Sequence, residues 1–178
     1  ETAVVLCNES LLQPVLHSLP EDVEHVNITM GFPLSQTPVY SFVLALLELQ
    51  INGFNPKNGR FLFEQVIAVL KHPYTRQQTT EAEALEKSLT QDNRFYPLPS
   101  ELKKDEFLSH LFTPVSGILP LTDYLLEALQ QVAVIYRKDK GKEQDEALNQ
   151  LYRESLFKAY TTFGRIRTLM EEGILNIQ

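Results

Sequence analysis

The chain has 178 residues, 43% of them apolar and 10% aromatic, with a net charge of −7 and a single cysteine. Those totals support a packed core and argue against a disordered chain. They exclude a chain-wide basic footprint for nucleic acid, an intrachain disulfide framework and a cysteine-based zinc site.

Thr2 to Cys7 is a short β-branched and apolar run, which predicts a buried strand with an inert Cys7 thiol inside it. Ser10 to Leu19 follows with Leu11, Leu12, Val15, Leu16 and Leu19 at helical spacing. Pro14 is tolerated there because it falls in or near the first turn. Val26 to Met30 reads as a second strand. Strand, helix and strand within about 30 residues fit a parallel pair with a crossover helix.

The segment "GFPLSQTP" breaks the pattern and leads into a helix expected over Ser35 to Ile51. Thr37 is its expected N-cap and Pro38 its first residue. Val39, Phe42, Val43, Leu46, Leu47 and Ile51 give it a broad apolar stripe. "NGFNPKNGR" is the clearest breaker in the chain, and a subdomain boundary is expected at 52/53. Everything beyond reads as helical. Phe61 to Lys71 is a helix ended by "HPY", since the residue before proline avoids the helical region. Thr80 to Gln91 is a charged helix expected to be exposed. Ser100 to Phe112 is a helix with Ser100 as its N-cap, Leu121 to Lys138 an apolar helix, and Glu143 to Glu172 a long amphipathic one. The last carries Leu148, Leu151, Tyr152, Ser155, Tyr160, Phe163, Ile166 and Met170 along one stripe. The fold class expected is therefore mixed α/β and mostly α-helical, a β-α-β piece followed by a helical part.

A search for chemistry returns no motif. "TMGFPLS" has one glycine and no lysine, so it is a turn and not a phosphate cradle. His17, His25, His72 and His110 lie in different segments without metal-ligand spacing. His72, before Pro73, is expected to satisfy carbonyls of the helix it ends. Glu81, Glu83, Glu86, Asp92, Glu101, Asp105 and Glu106 sit on polar faces, with no sign of the convergence that acid–base work needs. Ser41 and Ser116 lack an elbow motif. Two basic clusters, Arg137, Lys138, Lys140 and Lys142, and then Arg153, Lys158, Arg165 and Arg167, read as solubilising charge before phosphate contacts. Tyr152, Phe157, Tyr160 and Phe163 beside the second cluster read as packing before base stacking. No catalytic, metal or cofactor residue is expected. The longest apolar run, Val39 to Leu47, is too short to cross a membrane.

Three phrases, "TAVVLCNESLLQPVLHSLP", "VNITMGFPLSQTPVYSFVLALLEL" and "FLFEQVIAVLKHPY", together resemble the AddB/RecB-like helicase–exonucleases. These are bacterial proteins of the PD-(D/E)XK nuclease family with a degenerate superfamily I helicase region. The resemblance is strongest over Thr2 to Tyr74. Beyond that it rests on helical content alone. It implies that residues 1–52 belong to a RecA-like motor domain and 53–178 to a helical insertion. The Gly31-Phe32-Pro33-Leu34 turn would be the exit from the motor-like unit, and the helix after it would couple the two parts. An active motor of this superfamily would carry an arginine near the first strand. Asn8, Glu9 and Ser10 stand there, and no arginine occurs before Arg60, so no catalytic residue carries over. The function implied is a non-catalytic internal domain of a double-strand-break repair protein that positions DNA and supports contacts between domains. The residues expected to touch DNA are Lys71, His72, Tyr74 and Arg76. The implied partners are DNA, other domains of the parent chain and a helicase–nuclease partner subunit. The implied location is the cytoplasm, with no cofactor in this segment. Both ends, "TAVVL" and "ILNIQ", read as interrupted extended segments, so a cut from a longer protein is expected. The competing reading is a free-standing helical module that binds protein and not DNA.

Overall fold

A computed structural model of the chain describes residues 4–8, 11, 14, 15, 18, 20, 33–138 and 146–175, with the backbone alone at 135–138 and 146–150. It divides into two units, Glu1–Pro33 and Leu34–Gln178.

In the first unit Val4 to Leu6 have no regular structure, and Val4, Val5 and Cys7 are exposed. The buried strand expected over Thr2 to Cys7 is thus absent at its described residues, and the Cys7 thiol faces solvent. Among the described residues no ladder partner is hydrogen-bonded to Val4, Val5 or Leu6, and a strand is held by such a ladder. Pro14 and Val15 are helical, and the Ser18 amide bonds to the Pro14 carbonyl at 3.1 Å. The second expected strand, Val26 to Met30, lies outside the described residues, as do His17 and His25.

The second unit begins with a 3-10 turn, Leu34–Gln36, and helix α1, Pro38–Glu48. Thr37 is extended at the N-cap position and Pro38 is the first helical residue, as the sequence predicts. The Thr37 hydroxyl does not cap the helix but turns back to the Leu34 carbonyl at 2.5 Å. Val39, Phe42, Val43 and Leu46 point into the core. The expected helical end at Ile51 is replaced by a wider π turn, Leu49–Gly53. Two causes are visible. Gly53 lies so close to Gln65 that an added Cβ would sit 2.9 Å from the Gln65 Cβ. Gln50 is drawn inward, where its amide donates to the Thr113 carbonyl at 3.2 Å and accepts from the Val115 amide at 3.1 Å. Local π geometry lets a helix end re-aim a side chain in this way.

The breaker "NGFNPKNGR" folds into a hairpin, strands β1 (Phe54–Asn55) and β2 (Arg60–Phe61) paired antiparallel. The expected boundary at 52/53 therefore falls inside this unit. Helix α2 (Phe63–Lys71) ends at His72, and Pro73 starts α3 (Pro73–Gln78). Helix α4 (Glu81–Gln91) was expected to be exposed, yet Ala82, Leu85 and Leu89 are buried at helical spacing and pack toward α2. Three apolar side chains suffice to anchor a helix whose other faces are charged.

The single helix expected over Ser100 to Phe112 is two, α5 (Pro99–Leu102) and α6 (Glu106–Leu111). Leu98, extended before a proline, occupies the N-cap of α5 in place of Ser100, and the Glu101 carboxylate accepts from its amide at 2.6 Å. Asp105 caps α6, accepting from the Leu108 amide at 2.7 Å. Helices α7 (Ile118–Lys138) and α8 (Glu146–Glu171) then pack along one another. The buried side of α8 carries Ser155, Leu156 and Ala159, with Tyr152 and Phe163 partly covered. Phe157 and Tyr160, read as packing residues, are exposed instead. Arg167 ties the two helices by donating to Asp123, and it also meets Glu171 of its own helix at 2.8 Å.

Candidate functional site

The four residues expected to touch DNA surround one joint, where α2 stops and α3 starts. His72 is the pivot. Its backbone is extended (φ −62°, ψ 136°), which ends α2. Its side chain does not reach back to the carbonyls of that helix, as expected, but forward. Nδ1 accepts from the Tyr74 amide at 3.2 Å and so caps α3. A backbone amide can only donate, so Nδ1 must be unprotonated and the neutral ring carries its proton on Nε2. Nε2 lies 3.0 Å from the Ser41 hydroxyl, which donates to the Pro38 carbonyl at 3.0 Å. A single relay thus runs from α3 through the imidazole to the first turn of α1.

The ring is nearly buried and packed between Phe42 and Tyr74, at centroid distances of 4.9 and 5.3 Å. Burial lowers its pKa to about 4. Charging the ring would also set two protons against each other at Nδ1. A serine 3.0 Å from a histidine has the spacing of a nucleophile and its base. The chemistry is the reverse, because Nε2 donates to Ser41 here and has no lone pair free to take its proton.

Lys71 and Arg76 flank this joint and converge on one acidic face of α4. Lys71 Nζ is 3.5 Å from Glu86, and Arg76 bonds to Glu86 and lies 3.9 Å from Glu83. Lys87 also meets Glu83, at 2.7 Å. Tyr74 is buried, with its ring edge-on to Phe42. Of the four residues, only Lys71 offers a well-exposed side chain. His72 and Tyr74 are part of the core, and Arg76 fastens α3 to α4. The sequence signal that could have found this is the Glu83–Glu86 pair, whose spacing puts both carboxylates on one helix face.

The other residues singled out in the sequence stay apart. His110 stacks on Tyr124 and its Nε2 lies 3.0 Å from the Tyr124 carbonyl. Tyr124 is buried and donates to the Leu111 carbonyl at 2.8 Å, and burial raises its pKa above the ordinary phenol range. Among the described residues no three His, Cys, Asp or Glu side chains gather as a metal site would require, and no helix is long and apolar enough to cross a membrane.

A different face was not singled out by sequence, which put Ile51 on the buried stripe of helix α1. That helix also carries apolar side chains outside its buried stripe, beside the exposed Ser41 and Glu48. Opposite its buried stripe, Tyr40 and Leu44 are 42% and 44% exposed, and Ile51 in the following π turn is 63% exposed. Their spacing at 40, 44 and 51 follows one helical face. Comparison with protein-family models, with curated proteins and with solved structures finds no match to this chain.

Proposed function

We propose that this chain is a non-catalytic internal domain of a DNA double-strand-break repair helicase–nuclease, where it supports contacts between domains and helps to position DNA. The reading starts from the AddB/RecB-like phrases in residues 2–74. The observation that carries it is the outer face of α1. Tyr40, Leu44 and Ile51 are exposed apolar side chains on one face, beside Glu48, and clustered exposed apolar side chains mark interaction sites. That helix is the one the resemblance makes the coupling element between motor-like and inserted parts. A neighbouring domain of the parent would cover it.

The second reading, a helical module that binds protein only, is favoured by the ion pairs of Lys71 and Arg76. Cations already satisfied by Glu83 and Glu86 have less to give a phosphate. Both readings are tested on the natural gene product that contains this segment. A product several times longer, with a nuclease Asp…(Asp/Glu)-x-Lys core downstream and degradation of linear duplex DNA by the purified protein, is the expected result. A product bounded near Glu1 and Gln178 would overturn the nuclease reading and leave the protein-binding module.

A further inference from the structure

The hairpin and the loop after α4 meet at an exposed patch of rings and cations. The loop 92–98 runs beside β2 as an improvised third strand. The Phe61 amide donates to the Pro97 carbonyl at 3.0 Å, and the Phe63 amide to the Phe95 carbonyl at 3.1 Å. Arg60 completes the clasp by donating to the Tyr96 carbonyl at 2.7 Å. Asn93, with φ 51°, turns the chain into this path. Held this way, Phe95 and Tyr96 are 59% and 57% exposed. Phe95 leans edge-on against Phe63, with centroids 6.1 Å apart, and so is braced from below.

The charges around the rings are mostly positive. Residues 49–63 hold Lys57 and Arg60 and no acid. Neither of these two cations meets a carboxylate among the described residues. Arg94 adds a third cation, which Glu101 approaches at 3.5 Å, and Asp92 is the remaining acid of the loop. The hairpin tip is stiffened by Asn55, which accepts from the Lys57 amide at 3.0 Å, and by Asn58, which accepts from the Arg60 amide at 3.1 Å.

We propose that the 54–61 hairpin and the 92–98 loop form a platform for single-stranded DNA, with Phe95 and Tyr96 stacking on bases and Lys57 and Arg60 facing the phosphates. Two exposed rings, one of them braced on Phe63, and two cations without carboxylate partners match the two things a single strand offers, open base faces and a charged backbone. A duplex hides its base faces within the stack. An acidic peptide would use the cations and leave the rings idle. The choice of DNA over RNA rests on the function proposed above, whereas the platform itself rests on the geometry of the patch.

The test is fluorescence anisotropy of a labelled oligo-dT of about 15 nucleotides with the 178-residue chain, in low and moderate salt, beside an oligo-rU of the same length. The expected result is salt-dependent dT binding, weakened roughly tenfold by Phe95→Ala or Tyr96→Ala and unchanged by Phe157→Ala on the exposed side of α8. Lys57→Glu, at the exposed hairpin tip, should also weaken binding and serves as the deciding variant if the ring variants fail to fold. No dT binding by the wild-type chain, or binding of rU alone, overturns the proposal. So does full affinity in a folded Phe95→Ala/Tyr96→Ala double variant. In that last case the DNA-positioning function survives without this platform, and the gene-product experiment decides it independently.

Discussion

His72 shows how much one side chain can fasten in this fold. It ends one helix, caps the next and bonds to a third. Because its folded pKa of about 4 lies below the unfolded value of 6.5, the unfolded chain binds a proton more readily between those values. Stability is therefore complete above about pH 6.5 and lost as the pH falls toward 4, by roughly 2 kcal/mol at pH 5 from this group alone. Urea denaturation at pH 7 and pH 5 measures that loss directly. His72→Asn keeps an acceptor suited to the cap and removes the titration, so the part of the pH dependence due to this residue should vanish. The sequence announced a helix end at "HPY" but not this role. A histidine before proline is extended in either case, and only the approach of Ser41, 31 positions earlier, turns its ring into a link between helices.

Elements were legible where local chemistry decides them. Thr37-Pro38 marks the start of α1, Pro73 the break after α2, and the long apolar periodicities mark α7 and α8. Where a contact from elsewhere decides, the sequence misleads. Gly53 is an example, because its close approach to Gln65 shapes the π turn after α1. Gly53→Ala should cost more than 1 kcal/mol, since the nearest atom is a Cβ anchored to the α2 backbone and not a flexible tip. Gly164 makes the opposite case. It lies inside α8 with nothing within 4 Å of an added Cβ, so Gly164→Ala should stabilise the chain by about 0.5–1 kcal/mol. Paired thermal melts of the two variants test both signs. The same contrast explains why Ser100 to Phe112 reads as one helix. The break depends on Asp105 turning its carboxylate onto the Leu108 amide, and an acidic residue reads as readily as helix surface.

At the scale of the molecule, the helical second half was foreseeable from composition and periodicity, and the joining of α1 to that half was not. Its inner stripe belongs to the core, while its outer stripe is half-exposed. Leu46→Ala, fully buried, should cost about 2–5 kcal/mol. Leu44→Lys with Ile51→Lys should change unfolding free energy by no more than about 0.5 kcal/mol, because neither side chain is part of the buried core. Denaturant titration of the three variants separates the faces. If the outer face does stabilise the isolated chain, the lysine pair will shift the midpoint as Leu46→Ala does, and no neighbouring domain is needed to cover it. The loop clasped to β2 has a consequence of another kind. The amides of Phe61 and Phe63 sit in or beside a strand of only two residues, where fraying would be expected to expose them. Their acceptors, the Pro97 and Phe95 carbonyls, lie more than 30 positions away, beyond the whole of α4. Neither bond can open unless the α4 loop lifts off β2. In deuterium exchange these two amides should therefore be protected like the helical interior, and they should lose protection together, as one cooperative step and not as two frayed ends.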